Sequence, residues 1–419
     1  MATRWWHGRR KGSSRRRGAS ADAAASAGGS ADGDACSGLA LSGLALSGPA
    51  LSAAVVPPVA TGDPDAGHEA GEVYAAIDLG TNNCRMLIAR PEAEGTFRVI
   101  DSFSRITRLG EGLSSSGELS QAAQDRTIDA LYRCAEKMER RGVTASRKVA
   151  TEACRRASNG REFLERVYRE TGMRLECISA HEEARLALAG CASLLSRQQP
   201  YALVFDIGGG STELLWVKLT DSPFPCVEGF TTLPLGVMTV AEDCGGGDLS
   251  LRTYRTVVDH VQTLLQPFEL RHHISDHIGQ QAGAVQAQML GTSGTVTTLA
   301  GLHLGLSRYD RSLVDGISMG FDDITLLSRG LAAMSHRQRA ESPCIGPQRA
   351  DLVLAGCAIL EAICTLWPMG QLTVADRGLR EGMLMDLIGL PSARQALTQN
   401  HSRAHRDHRD HVSNRKAVV

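Results

Sequence analysis

Two short stretches carry carboxylates, hydroxyls and bare glycine amides at a spacing suited to holding phosphate. In Tyr201–Val217, YALVFDIGGGSTELLWV, Asp206 and Glu213 bracket Gly208, Gly209, Gly210 and Ser211. An almost wholly apolar run precedes the glycines and a second apolar run follows. No helix-length segment separates them, which predicts a buried β-hairpin with a glycine-rich turn. Glycine tolerates φ > 0 and lets backbone amides approach a ligand closely. Bare amides beside paired carboxylates suit a phosphate group with a divalent metal. Asp206 and Glu213 are therefore candidate metal ligands, and the glycines with Ser211 candidate phosphate contacts. Taken alone, three glycines are equally a tight turn that binds nothing.

A second copy changes that balance. Tyr74–Arg90 reads YAAIDLGTNNCRMLIAR, with Asp78, Gly80, Thr81, Asn82 and Asn83 in the turn. The Asp-x-Gly turn thus occurs twice, each time inside an apolar hairpin. Two such hairpins facing each other can clamp one phosphoryl group between two similar domains. Neither is a P-loop, since no Gly-Lys-Ser/Thr follows and the chain returns as a strand; nor is either a dinucleotide fingerprint. A third loop, Thr292-Ser293-Gly294-Thr295, leads from a strand end into a helix, a position where anions bind. Between the hairpins, Lys148 to Thr151 reads as a strand that runs into Arg155 and Arg156, and ligand contacts collect at such strand ends. Ser179 and Glu182 spell a capping box, which explains Glu182 by helix initiation. Glu183 lies about 100° further round the helix and is not needed for the cap. In the first helical turn, partial positive charge favours its ionised form, as a general base requires. His181 reads as structural.

Six stretches in order, DLGTNNCR, ATEACRRASNG, AHEEARLALAG, FDIGGGSTEL, GTSGTVTTLAG and DRGLREGML, resemble the exopolyphosphatase and guanosine-pentaphosphate phosphatase family. That family lies within the actin, sugar-kinase and heat-shock-chaperone ATPase superfamily. The resemblance covers about residues 73–390, departing where Thr81 and Asn83 stand in place of serines. It implies an α/β fold of two ribonuclease-H-like domains, residues 72–182 and 183–392, with the active site in the cleft between them. It further implies Glu183 as the catalytic residue, Arg155 on the phosphate, Arg156 on the surface and a nucleotide near Thr292, Ser293 and Gly294. Mg²⁺ or another divalent cation is the expected cofactor. Inorganic polyphosphate is the expected substrate, hydrolysed from its end. The alternatives are guanosine-5'-triphosphate,3'-diphosphate with the same chemistry, or a nucleotide-binding switch in which Glu183 is only structural.

The rest of the chain must position these groups. Its 419 residues suffice for two full cores, and with 4% aromatics those cores rest on Leu, Val, Ile and Ala. Periodicity predicts helices from Ser120 to about Arg141, after a capping box at Asn159 and Glu162, and from about Ser250 to Leu270. Further helices are expected from Val296 to Leu304, from Arg349 to about Trp367, and from Asp376 onward, where Arg377 and Arg380 either extend a basic strip or pair with Asp376 and Glu381. Residues 1–71, with an Arg cluster and a five-residue Ser-Gly-Leu-Ala-Leu repeat, read as a disordered leader dispensable for activity, with an organellar transit peptide as alternative. Residues 393–419 read as a polar tail whose His401, His405, His408 and His411 are solvated rather than metal-bound. Longer members of the family carry an extra C-terminal helical domain, for which this chain has no room. Net charge is −1 overall, +1 in residues 1–71 and +4 in 391–419, leaving −6 between them, which argues against a general nucleic-acid binder. No apolar run reaches the roughly 18 residues of a membrane span. Eleven cysteines without a C-x-x-C pair imply reduced thiols in the cytoplasm. A homodimer is left open.

Overall fold

The computed structural model describes residues 71–389, apart from 93–95, 223, 247 and 279–285. The leader, save residue 71, and the His-rich tail lie outside the described residues. The first sheet begins with the hairpin β1 (Tyr74–Leu79) and β2 (Asn83–Glu92), extended by β3 (Thr96–Ile106). Helices α1 (Leu113–Ser116) and α2 (Gln121–Arg140) lead to β4 (Ala145–Ala150). Then α3 (Glu152–Arg156), α4 (Gly160–Thr171), β5 (Glu176–Cys177) and α5 (Ala180–Cys191) follow. The strand order is β3-β2-β1-β4-β5, antiparallel across β3-β2-β1 and parallel across β1-β4-β5. β1 is central because Ala75, Ala76 and Ile77 are fully buried, apolar on both faces. Ser120 accepts from the Ala123 amide and starts α2, whose Ile128, Ala130, Leu131 and Cys134 join the core of the first sheet. Asn159 does not form the expected capping box. Its side chain instead accepts from the Leu119 amide (2.8 Å) and donates to the Leu119 carbonyl (3.0 Å), tying two connections together.

The second sheet repeats the plan. The hairpin β6 (Tyr201–Ile207) and β7 (Thr212–Lys218) is extended by β8 (Cys226–Leu233). Helices α6 (Val237–Asp243) and α7 (Leu251–His272) lead to β9 (Ala287–Thr292). After it come α8 (Gly294–His303), α9 (Arg311–Val314), β10 (Ser318–Gly320), α10 (Phe321–Ala333) and α11 (His336–Glu341). The chain closes with α12 (Val353–Leu366), β11 (Gln371–Ala375) and α13 (Leu379–Ile388). The order is β10-β11-β9-β6-β7-β8. Read from β8, this is the first sheet's order with β10 added at the edge. The fold is α/β with two sheets of ribonuclease-H-like topology, as the sequence implied. The second core holds Trp216 and Trp367 and buries α12 almost all round, which is why that helix shows no polar face.

Two helices join the halves. α5 turns Ala184, Leu188 and Cys191 to the second sheet, while its Leu186 meets Met383 and Leu384 of α13 on the first sheet. The last helix in sequence therefore packs on the first sheet in space. α5 and α13 cross closely because both contact positions are glycine. A Cβ on Gly382 would lie 2.0 Å from the Leu186 carbonyl oxygen, and one on Gly190 2.0 Å from that of Gly378. Neither backbone atom can move aside cheaply, so Gly382→Ala should lose about 1–3 kcal/mol in urea unfolding. Gly330→Ala in α10, where an added Cβ meets nothing within 4 Å, should be neutral or stabilising. Equal effects of the two substitutions would show that the helix crossing does not require glycine.

Candidate active site

Both hairpin turns are built alike. The Gly80 amide donates to the Asn83 carbonyl and the Gly208 amide to that of Ser211, each at 2.9 Å. None of the hairpin glycines has positive φ. Close approach, not backbone conformation, is what requires them. A Cβ on Gly209 would lie 3.0 Å from Thr81 Cβ and 3.1 Å from the Asn82 nitrogen, and one on Gly210 only 2.8 Å from Thr81 Oγ1. The two turns therefore press directly on each other.

A cavity of about 570 Å³ opens beside this contact. Asp78, Gly80, Thr81, Asn82 and Asn83 line it from the first turn, and Asp206, Gly208, Gly209, Gly210 and Ser211 from the second. Thr292, Ser293 and Gly294 line it from the start of α8, where Ser293 Oγ caps the helix by accepting from the Val296 amide. Glu183 reaches it from the first turn of α5. Arg155 and Glu213 do not line the cavity. Arg155 lies behind it, donating to Glu183 Oε2 (2.8 Å), the Ile178 carbonyl (2.9 Å) and Glu152 Oε2 (3.2 Å). Glu213 stands beside Asp206 in strand register and accepts from Thr232 Oγ1 at 3.1 Å.

Glu182 does more than initiate a helix. The Ser179 hydroxyl accepts from its amide (3.1 Å), but its carboxylate pairs with Arg147 and Arg185 instead of returning to the cap. Arg185 also binds Asp386 of α13. Burial works against the Glu182 charge, yet the Arg185 and Arg147 hydrogen bonds hold its carboxyl below the ordinary range. This network fastens the helix that carries Glu183 to β4 and α13.

Glu183 behaves in the opposite way. Burial, then the Glu213 charge, pushes its carboxyl up to about 8, outweighing Arg155 and the helix N-terminus that sequence alone took as decisive. Burial also pushes Asp206 up to about 7, with Glu183 and Asp78 adding to it. Glu213 rises to about 7 by burial, against hydrogen bonds from Ser211 and Thr232. Asp78 rises too, by burial acting against the Arg85 and Arg380 charges. These carboxylates need cationic company before all can ionise.

Two arginines that sequence reasoning did not assign to the phosphate supply part of it. Arg85 on β2, directly across the hairpin from Asp78, and Arg380 on α13 both line the cavity. Neither guanidinium makes a hydrogen bond or ion pair with a described residue, and burial lowers the Arg380 pKa. Unpaired guanidinium groups turned into a cavity call for an anion. The strand register of Arg85 opposite Asp78 was a readable signal; the approach of Arg380 to it was not. Further along, Arg311, Tyr309 and Asp376 line the cavity with Leu352 and Val353, and the Tyr309 hydroxyl donates to Asp376 at 2.7 Å.

Among the described residues, no three His, Cys, Asp or Glu side chains form a cage that could hold a metal unaided. A hard cation bound by one or two carboxylates and completed by substrate oxygens still suits this donor set. The Oδ1 atoms of Asn82 and Asn83 are buried without a partner beside it.

The raised carboxyls set the pH dependence of stability. A group whose pKa rises on folding contributes stability present below its unfolded value and lost as pH climbs through the folded value. For Glu183 that window runs from 4.5 to about 8, and Asp206 and Glu213 act in the same direction. The melting temperature of the metal-free protein should therefore fall between these pH values, less steeply in Glu183→Gln. A level or rising profile would mean that the cluster titrates normally.

The chain is similar to known proteins over most of its described length. The model of the Ppx/GppA phosphatase family matches residues 87–390. A guanosine-5'-triphosphate,3'-diphosphate pyrophosphatase of Aeromonas salmonicida is 29% identical over 318 residues, 76% of this chain and 60% of that protein. This chain thus spans about 60% of the length of that curated relative. The crystal structure of the Aquifex aeolicus member of the Ppx/GppA family superposes with a TM-score of 0.61 at 28% identity, covering 76% of this chain and 97% of that one. An exopolyphosphatase structure from Cytophaga hutchinsonii, 22% identical with a TM-score of 0.67, shares the fold. With the doubled sheet, the paired turns and this match over most of its described length, the chain belongs to the Ppx/GppA phosphatase family.

Proposed function

We propose that this protein hydrolyses the terminal phosphoanhydride bond of a polyphosphorylated anion, with Glu183 as general base. The observation that carries the reading is the cavity itself. Glu183 and both turns line it together, and two arginines without an ion pair, from separate parts of the chain, line it as well. Phosphoryl transfer depends mainly on positioning and charge neutralisation, which turns, arginines and one base can supply. A pKa near working pH suits a general base, since the carboxylate is then both available and basic enough to take a proton from water. Amides and hydroxyls of Thr81, Gly209, Gly210 and Ser211 hold the phosphoryl oxygens, and Arg85 and Arg380 bind charge further from the scissile bond. Arg155 acts by orienting Glu183. A bound Mg²⁺, near Asp206 and Glu213, would neutralise developing phosphate charge. The division into domains 72–182 and 183–392 remains our reading, with α13 docking back on the first sheet.

Inorganic polyphosphate is one substrate that fits. Guanosine-5'-triphosphate,3'-diphosphate is the second, and a specific observation favours it. Beyond the arginines, the cavity has apolar and carboxylate walls at Tyr309, Leu352, Val353 and Asp376. A bare polyphosphate has no use for these, whereas a nucleoside does. The names of similar proteins include both anions, a guanosine-5'-triphosphate,3'-diphosphate pyrophosphatase and an exopolyphosphatase, so the choice rests on the cavity wall. Among the described residues no helix is long and apolar enough to cross a membrane, and the described cysteines are free. The cysteine pattern of the sequence, with no C-x-x-C pair, is what supports our placing the reaction in the cytoplasm.

Phosphate release from the two substrates side by side, with and without Mg²⁺, tests the assignment. Glu183→Gln should cut turnover roughly 10²–10⁴-fold with substrate binding kept. Normal turnover in that variant would sink the general-base role. Glu182→Gln is no neutral control, because it weakens the Arg147–Arg185 network; its loss should appear in melting temperature first. Asp206→Asn and Glu213→Gln should each raise the Mg²⁺ concentration needed for half-activation, and an unchanged requirement would remove that residue from the ion's surroundings.

A further inference from the structure

A bridge crosses between the two halves away from the carboxylates. Arg108, in the connection after β3, holds φ of 48°, a conformation that non-glycine residues rarely adopt. Its backbone is held there. The Thr107 and Arg108 amides both donate to the Asn82 carbonyl (2.9 and 3.0 Å), and the Gly110 amide donates to that of Thr81 (2.9 Å). The first phosphate turn is thus bonded on its outer side to this loop. From that strained backbone the Arg108 guanidinium reaches 243 positions along the chain to Asp351, at 2.9 and 3.1 Å, and to the Gln348 carbonyl at 3.2 Å. A second link runs parallel to it, from the Gly112 amide to Glu242 Oε1 on α6 at 2.9 Å.

Both ends are supported. Arg126 of α2 donates to the Thr107 carbonyl (3.0 Å) and pairs with Glu111. On the far side the buried Arg339 donates to the Ala350 carbonyl (3.1 Å). Arg349, Leu352 and Val353 line the cavity, and Asp351, which does not, sits in the same segment between them. A residue in a disfavoured backbone region persists only when its surroundings over-determine it, and here those surroundings join the first turn to the segment that carries Arg349, Leu352 and Val353.

We propose that residues 107–112 form a strap that holds the cleft closed, with Arg108–Asp351 as its clasp, and that the strap restricts entry of long polyphosphate chains. The clause on chains rests on the proposed function; the closure does not.

The test uses the full chain with Arg108→Asn, Asp351→Asn and the double substitution. Asn tolerates the left-handed backbone at position 108, so only the clasp is lost. Hydrogen exchange in peptides spanning 107–112 should quicken roughly two- to five-fold in either single variant and no further in the double, the scale of a partly exposed ion pair. Asp351→Asn is the decisive variant because it is remote in sequence; unchanged exchange at 107–112 would overturn the clasp. Stopped-flow binding then compares long-chain inorganic polyphosphate with guanosine pentaphosphate. A several-fold rise in association rate for the long chain alone supports the entry gate, and equal responses overturn it. Failure of the unaltered protein to bind either anion would count against the proposed function, while hydrogen exchange would still decide the strap.

Discussion

Everything in the site depends on the contact between the two Asp-x-Gly turns. Gly209 and Gly210 let one backbone lie against Thr81 and Asn82 of the other at a distance that any side chain would prevent. The contact is braced from both sides. Behind the second turn, the Val237 and Met238 amides donate to the Gly208 and Gly209 carbonyls (3.0 and 2.8 Å). Behind the first, loop 107–110 binds the Thr81 and Asn82 carbonyls. Carbonyls that point outward leave the opposite edge of each turn for the cavity. A duplicated fold thereby becomes one site.

That closeness has an electrostatic consequence. Bringing the turns together also brings Asp78, Asp206, Glu213 and Glu183 into one poorly solvated region, where each makes the next harder to ionise. A helix N-terminus offers about 0.3–1 kcal/mol to a nearby carboxylate. A rise from 4.5 to about 8 is several times larger, so burial prevails over the dipole at Glu183. The same region recruits Arg85 and Arg380 without pairing them to any one carboxylate. Acids that resist ionisation and bases without partners are what an anionic, cation-bearing ligand would relieve.

The helices α5 and α13 hold this arrangement in register. α5 presents Glu183 at its start and packs along its length on both sheets, while α13 brings Arg380 back from the chain's far end to the first sheet. Gly190 and Gly382 at their crossing let the helices approach, and the Arg147–Glu182–Arg185–Asp386 network fixes their rotation. The proposed base and an unpaired arginine of the cavity, 197 positions apart, are thus oriented by one helix pair.

Sequence by itself determined what is local. Apolar runs broken by Asp-x-Gly specify both hairpins, because strand burial and turn chemistry are written in adjacent residues. Ser120, Ser179 and Ser250 start their helices as read, since a cap needs only a hydroxyl and an amide three residues on. Repetition of the hairpin made the doubled fold and the two turns that line the cavity legible. Tertiary structure decided the rest. Asn159 gave its side chain to Leu119, 40 positions away, and the Glu182 carboxylate bonded Arg185 on its own helix and Arg147 on β4 instead of closing the capping box. Arg155 faced Glu183 instead of the cavity, while Arg85 and Arg380 met inside it. Such choices depend on distance and burial after folding, and neighbours in sequence carry no record of either.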